Sequence, residues 1–403
     1  MKVSSEELRT TLEKELGLEA IESDSRVLAS YAVDGKVPSL LCFPSTPEQV
    51  GAILRVCAKD EAAVIPWGGG TSMRLGNIPR RADVFVGLEK LDRLIEHDDA
   101  NLTATAQAGT QVSSFQEALG RRRQFFPVDP PHPMRATLGG IVAANINGPR
   151  RMLHGGLRDL VIGMKMVLAT GEQVKTGGKV VKNVAGYNLC KLFAGSLGTL
   201  GIITELTFRT APVPENAASF VASGPLDRCG RFVEQLFASP LLPSAVTILG
   251  PGAAPALGYN PEKRAVAAWL EGFEEAIARH LADMVGLARD AGLASEALRD
   301  EPHRRLWEGV VNFDAADEEI LYRITVPVAS VVEAVAAAEQ WSEYRKPARY
   351  VAHVGTGTIW LVDAGPAGIG WRRIAALARD YKGHAVMAAA PAARKEGIDV
   401  WGE

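Results

Sequence analysis

An α+β chain of two domains is what this sequence predicts: a glycine-rich N-terminal domain, then an antiparallel sheet built from a repeated βαββαβ order. Three observations lead there. Of the 40 glycines, 20 lie between Gly68 and Gly201, a third of the 403 residues; glycine that dense among apolar strands marks backbone in close approach to a ligand. At Pro212-Val213-Pro214-Glu215 the chain turns alanine-rich and glycine-poor, and two prolines between regular elements favour an extended link. Beyond that point the apolar periodicity gives the same run of strands and helices twice. The domains are therefore placed at 1–212 and 213–403.

Residues 5–16 have the spacing of an amphipathic helix and 40–43 of a short strand. Ser45-Thr46-Pro47-Glu48 then opens a helix, because a hydroxyl cap, a first-turn proline and an early acid suit its unpaired N–H groups and positive end. A buried strand at 62–66 runs into Trp67-Gly68-Gly69-Gly70-Thr71-Ser72. Strands follow at 84–88, 94–97 and 102–108, with a helix at 111–119. Residues 136–147 read as a helix opened by Thr137-Leu138-Gly139-Gly140. Strands 161–168 and 172–175 flank the turn Ala169-Thr170-Gly171 as a hairpin, and the glycine-rich part closes with strand 201–209. In the second domain, strand 219–222, helix 227–237, strands 245–249 and 265–269 and helix 274–288 form one unit. Strand 321–326, helix 329–341, strands 350–354 and 358–362, helix 371–378 and strand 384–387 form another. This is the ferredoxin-like order, with helices on one face of an antiparallel sheet, and two such units side by side give one wide sheet.

The charge balance, 44 basic against 47 acidic residues with a net charge of -3, excludes a basic nucleic-acid binder, since phosphate neutralisation needs a positive face. No apolar run approaches the length of a membrane span and residues 1–17 have no signal-peptide core, so a cytoplasmic chain is expected, peripheral to a membrane only through partners. Cys42, Cys57, Cys190 and Cys229 are too far apart for zinc or iron–sulfur ligation and read as buried, reduced thiols.

Three motifs carry chemistry. Trp67 to Ser72, straight after a strand, has what a pyrophosphate cradle needs: glycines that let N–H groups converge, and two hydroxyls. No lysine follows, so this is not a nucleoside-triphosphate loop, and Gly195-Ser196-Leu197-Gly198-Thr199-Leu200-Gly201 lacks the spacing of a dinucleotide fingerprint. The second motif runs from Pro127-Val128-Asp129-Pro130-Pro131 through Thr137-Leu138-Gly139-Gly140 to Asn147-Gly148, a stiff turn leading into a helix against which a flat ring or phosphate could lie. The third is Gly177-Gly178-Lys179-Val180-Val181-Lys182-Asn183-Val184-Ala185-Gly186-Tyr187-Asn188-Leu189, leading into Gly198-Thr199-Leu200-Gly201-Ile202-Ile203; Lys182 in it reads equally as a solvated loop lysine.

In this order, over about residues 35–212, the three motifs resemble the FAD-binding domain of the vanillyl-alcohol oxidase and p-cresol methylhydroxylase superfamily. The Lys182-Asn183-Val184-Ala185-Gly186-Tyr187 stretch and the short second domain are most similar to the smaller FAD-binding subunits of bacterial glycolate oxidases. The resemblance implies a two-subdomain FAD-binding domain of the p-cresol methylhydroxylase type over 1–212 and a ferredoxin-like cap or substrate-type domain over 213–403. It implies that Trp67, Gly68, Gly69, Gly70, Thr71 and Ser72 hold the FAD pyrophosphate. Asp129, Pro130, Thr137, Leu138, Gly139 and Gly140 would line the flavin and ribityl chain, with Gly148, Arg158 and Asp159 nearby and Gly201, Ile202 and Ile203 in contact through main chain. Covalently flavinylated relatives carry a histidine after the glycine run, where this chain has Thr71, so the FAD is expected to be noncovalent.

The sequence also departs from its catalytic relatives. Their metal-binding stretch, His-x-Gly-Asp-Gly-Asn-x-His, is here His353-Val354-Gly355-Thr356-Gly357-Thr358-Ile359-Trp360. One imidazole does not make a metal site, so no metal is expected and His353 reads as a hydrogen-bonded histidine at a strand end. Leu197 and Asn188 stand where those relatives carry acids, and the chain stops short of their Asn-Pro-Gly tail. No catalytic acid–base pair stands out. The resemblance thus implies an auxiliary or electron-transferring FAD subunit of a glycolate oxidase complex. Beside it would stand a catalytic flavin subunit and an iron–sulfur subunit acting on a small 2-hydroxy acid. A self-sufficient FAD-dependent dehydrogenase of another 2-hydroxy acid or alcohol, using groups such as Arg304, Arg305, Trp307 or Tyr322, stays open. Intact glycines in all three motifs argue against a flavin-free structural subunit.

Overall fold

The computed structural model describes residues 5–178, 188–253, 264–340, 349–363 and 369–402. The chain divides into two compact units, one of Met1–Met73, Ile78–Asn147 and Gly156–Val213, the other of Arg74–Asn77, Gly148–Gly155 and Pro214–Glu403. Two short excursions of the N-terminal half are thus counted with the C-terminal unit, which a single boundary near residue 212 does not anticipate.

In the N-terminal unit, α1 (Ser5–Leu16) turns Leu8, Leu12 and Leu16 inward at helical spacing. After β1 (Ile21–Glu22), α2 (Ser25–Ala29) is capped by Asp24, whose carboxylate accepts from the Arg26 N–H at 2.8 Å. Between β2 (Leu40–Cys42) and β3 (Val64–Trp67), α3 (Pro47–Lys59) starts as its opening residues dictate, Thr46 Oγ1 accepting from the Gln49 N–H at 3.3 Å. With β4 (Val84–Gly87) the strands form a sheet in the order β1-β2-β4-β3, parallel from β2 to β3. β3 is an edge strand and half-buried, not the buried strand that its apolar sequence suggests.

β5 (Leu94–Asp98) and β6 (Thr103–Gln107) lead to α4 (Val112–Gly120), β7 (Gln124–Phe125) and α5 (Leu138–Ala144). α5 is shorter than its apolar run because Asn145, at φ 50° and ψ 47°, closes it in the left-handed conformation. Then come α6 (Arg151–His154, in an excursion), α7 (Leu157–Leu160), β8 (Val161–Val167), β9 (Gln173–Gly177), α8 (Leu189–Phe193), β10 (Ile202–Arg209) and β11 (Ala211–Pro212). The second sheet runs β5-β6-β10-β8-β9, antiparallel throughout, and β11 pairs with β7. Phe115, Phe126 and Phe208 pack α4 onto it, with ring centroids 4.5–5.7 Å apart.

The C-terminal unit contains β12 (Asn216–Gly224), α9 (Leu226–Ala238), β13 (Ala245–Leu249), β14 (Arg264–Gly272), α10 (Glu274–Asp290) and β15 (Ala294–Leu298). After α11 (Asp300–Val311) come β16 (Ile320–Thr325), α12 (Val331–Gln340), β17 (Arg349–His353), β18 (Thr358–Asp363), α13 (Ile369–Asp380), β19 (His384–Ala389) and α14 (Ala392–Lys395). All eight strands join one antiparallel sheet, β15-β12-β14-β13-β17-β18-β16-β19. Each half has the ferredoxin-like order, and the halves meet where β13 pairs with β17. Phe220, Ile248, Tyr322 and Tyr350 point to the face covered by α9, α10, α12 and α13. The opposite face carries α11 through Leu306, Trp307 and Val310, together with the excursion that contains α6.

Candidate functional site

The glycine loop folds onto the second motif. A Cβ on Gly69 would lie 1.6 Å from the Arg135 carbonyl oxygen, and one on Gly68 would lie 2.3 Å from Thr137 Oγ1, so these glycines are needed first for contact between two chain segments. Thr137 caps α5, its Oγ1 accepting from the Gly140 N–H at 3.3 Å. The third motif arrives from another side: Gly198 packs on Pro66, while the Gly195 and Leu197 N–H groups donate to Val142 and Ala143 at 3.0 and 2.8 Å. Residues separated by more than a hundred positions thus meet around one half-exposed loop.

That loop fits a diphosphate. Residues 67–72 are half-buried, and among the described residues none of the N–H groups of residues 68–72 donates to a main-chain carbonyl. N–H donors left unspent on main chain, with two hydroxyls beside them, are the donors that phosphate oxygens would require. The other expected residues are placed less uniformly. Leu138 and Gly139 are buried, the Gly139 N–H donating to Ala108 O at 2.7 Å, so they offer the loop a floor. Pro130 is buried and Asp129 half-buried in the turn before Arg135. Ile202 and Ile203 are core residues of β10, and Gly201 lies against Val167. Arg158 and Asp159 are exposed: Arg158 donates to Lys191 O at 2.7 Å and Asp159 pairs with Lys191 at 3.1 Å, ties that hold α7 to α8. Gly148 belongs to an excursion of the C-terminal unit. Lys182 and the rest of 179–187 lie outside the described residues.

On the sheet face opposite the four helices, the C-terminal unit gathers groups that the sequence reading missed. Glu271, 5% exposed at its side chain, accepts from Arg150 at 3.2 Å and lies 2.6 Å from His154 Nε2. Burial opposes its charge, but the hydrogen bond from His154 and the charge of Arg150 outweigh that and hold its carboxyl below the usual range. The Arg150 guanidinium stacks 4.4 Å over Trp269. His303 Nδ1 lies 2.7 Å from Ser219 Oγ, which accepts from Trp307 Nε1 at 2.8 Å. Burial, and then the charge of Arg150, lower the His303 pKa to about 4. A lone acid closing the apolar run of β14 was the available signal for Glu271; nothing local marks its partners in a distant excursion.

His353 ends β17, buried, with Nδ1 3.0 Å from Thr247 Oγ1. Thr356 Oγ1 donates to His353 O at 3.3 Å. The stretch 353–360 does not fit a metal: beside His353 it offers only neutral hydroxyls and an indole that has no free lone pair, and among the described residues no group of three His, Cys, Asp or Glu could hold one. Trp307 and Tyr322 are core residues, while Arg304 and Arg305 are turned to solvent beside Glu301. Burial pushes the Cys42, Cys57 and Cys229 thiols up to about 12, which leaves them unreactive. No helix among the described residues is long and apolar enough to cross a membrane.

The fold and the loop define a class: residues 38–177 match the FAD binding domain family, and the fold is that of the p-cresol methylhydroxylase type. The chain therefore carries an FAD-binding domain, with FAD as its cofactor. Over 94% of its length it superposes on 80% of an alkyldihydroxyacetonephosphate synthase with a TM-score of 0.75. Over 96% it superposes on 89% of p-cresol methylhydroxylase with a TM-score of 0.74. Identity is 16% in both cases, a likeness of fold alone. More particular relatives are found in sequence. The chain is 33% identical over 214 residues to glycolate oxidase subunit GlcD of Bacillus subtilis (strain 168), covering 53% of this chain and 46% of that one. It is 34% identical over 220 residues to a D-lactate dehydrogenase of Anaerostipes hadrus, 54% of this chain and 46% of that one. It is 39% identical over 127 residues to glycolate oxidase subunit GlcE of Escherichia coli (strain K12), 31% of this chain and 36% of that one. The chain spans about half the length, or less, of these curated relatives.

Proposed function

We propose that this chain is an FAD-binding subunit of a glycolate-oxidase-type complex that oxidises a small 2-hydroxy acid. Its role is auxiliary or electron-transferring beside a catalytic flavin subunit, and an iron–sulfur relay lies on a further partner. What carries the reading is that the sequence likeness gathers on glycolate oxidase subunits and 2-hydroxy acid dehydrogenases. FAD, when bound, supplies a two-electron acceptor. The protein's part is to hold its diphosphate on residues 67–72, over a floor made by residues 135–140. Noncovalent attachment is proposed because Thr71 offers no nucleophilic imidazole in that loop. The C-terminal unit is the cap or substrate-type domain. The auxiliary role rests on His353: its Nδ1 is engaged by Thr247, and its neighbours Thr356, Thr358 and Trp360 bring neither a base nor a metal ligand.

The reading is tested by the visible spectrum of the purified chain before and after anaerobic glycolate or D-lactate. Flavin bands that persist with either acid alone, and fade once the partner flavin subunit is added, are the expected result. A colourless protein that takes up no added FAD overturns the reading. Rapid bleaching by one acid without a partner replaces it with a self-sufficient dehydrogenase.

A further inference from the structure

Arg323 lies in the middle of β16, on the face opposite the four covering helices, because its neighbours Tyr322 and Ile324 point into the core beneath those helices. Such a position usually takes an apolar residue, as Leu321 shows two residues earlier. Arg323 is half-buried, yet among the described residues it makes no ion pair and donates no hydrogen bond. The contrast with other arginines of the unit is plain. Arg264 is held by Glu339 at 2.7 Å, Arg349 by Glu319 at 2.9 Å and Arg150 by Glu271 at 3.2 Å. Arg323 instead lies within the field of a second cation: burial first, and then the positive charge of Arg151 on α6, push its guanidinium below the usual range. A guanidinium partly withdrawn from water beside another is unfavourable unless an anion joins them.

The surroundings limit which anion. Directly across the ladder from Arg323 stands Trp360, and across from Thr325 stands Thr358. α6 lies against β13 and the turn at 354–356, with Met152 packed so closely on Gly355 that a Cβ there would meet its sulfur. The site therefore combines two guanidiniums with a threonine hydroxyl and an indole. A planar fork beside flat apolar surface suits a small organic carboxylate better than a fully hydrated phosphate.

We propose that Arg323, with Arg151, forms a metal-independent binding site for the carboxylate of a small organic acid. The inference deepens the functional reading above and rests on it for the identity of the acid as a 2-hydroxy acid. It differs in assigning recognition to arginines of β16 and α6, with no cation between protein and carboxylate.

The test uses the FAD-loaded chain and calorimetric titration with glycolate, D-lactate and oxalate, with glycolamide as the neutral analogue and inorganic phosphate as the competing anion. One or more of the acids should bind, glycolamide and phosphate should not, and chelator treatment should change nothing. Arg323→Met should weaken binding at least 30-fold and Arg323→Lys less, with flavin content unchanged. The thermal midpoint of Arg323→Met should equal or exceed that of the parent, since an unpaired charge leaves the interior; a purely structural arginine would lower it. Unchanged affinity in Arg323→Met, equal binding of phosphate, or loss of binding on chelation overturns the site. Should Arg323→Met not fold, the site is overturned if Arg151→Met also leaves affinity unchanged. The two proposals fail separately: Arg323-dependent binding to a chain whose flavin no 2-hydroxy acid reduces, with or without partners, upholds the site and removes the redox reading. Reduction with an unaltered KM in Arg323→Met does the reverse.

Discussion

At the scale of single residues, the glycine loop shows how one residue type answers two demands. Gly68 and Gly69 are glycine because a Cβ would strike the segment 135–137, and that close contact leaves the N–H groups of the loop unspent. Gly69→Ala must therefore push the loop off its floor. The cost expected for such overpacking is about 1–3 kcal/mol, with FAD content of the purified protein falling several-fold. Full flavin occupancy in the variant would refute the placement of the diphosphate. The glycines themselves were legible in the sequence. Their contact with Arg135 was not, since no local pattern says which distant segment a loop will touch.

Among elements, the excursion bearing α6 depends on one carboxylate. Glu271 at the end of β14 receives both Arg150 and His154, and its removal leaves the Arg150 guanidinium without its counter-charge and His154 without its hydrogen-bond partner in that carboxylate. Glu271→Ala should cost about 3–5 kcal/mol, and hydrogen exchange of 148–155 should rise before that of the strands. Equal protection in variant and parent would show that the excursion is held by other contacts. Most strands and helices could be read from periodicity, α1 and β13 with their full bounds. Those missed have physical reasons. β15 is Ala-Ser-Glu-Ala-Leu at a sheet edge, largely exposed, so no apolar alternation marks it. α11 carries its signal in His303, Leu306, Trp307 and Val310 at helical spacing, but it falls between the two βαββαβ units, where the repeat has no helix. Arg323 is a charge within an apolar strand, visible in sequence, whose lack of a partner among the described residues emerges only in three dimensions.

For the whole molecule, the buried His303 links folding to acidity. Its pKa of about 4 in the fold lies below the ordinary 6.5, so the folded state resists taking a proton that the unfolded chain accepts. Stability is complete above pH 6.5, falls as pH drops from there toward 4, and loses no more from this group below that; the loss is roughly 3 kcal/mol. Urea unfolding at pH 7 and pH 4.5 should therefore show a smaller difference for His303→Gln than for the parent, since glutamine can still reach Ser219 without titrating. An identical difference would mean that His303 is not neutral in the fold.

The eight-stranded sheet reads the same from its central seam outward in both directions: β13-β14-β12-β15 one way, β17-β18-β16-β19 the other. A pseudo-dyad thus passes between Ile248 and Ala352, the middle pair of that seam. Followed through the ladders, it relates Leu249 to His353, Ala267 to Trp360 and Val221 to Arg323. The backbone is duplicated and the chemistry is not. On one side of the dyad these positions are filled with aliphatic residues and roofed by α11; on the other they hold an imidazole, an indole and a guanidinium. Around one pseudo-dyad the same scaffold thus serves cohesion on one side and, as proposed above, recognition on the other.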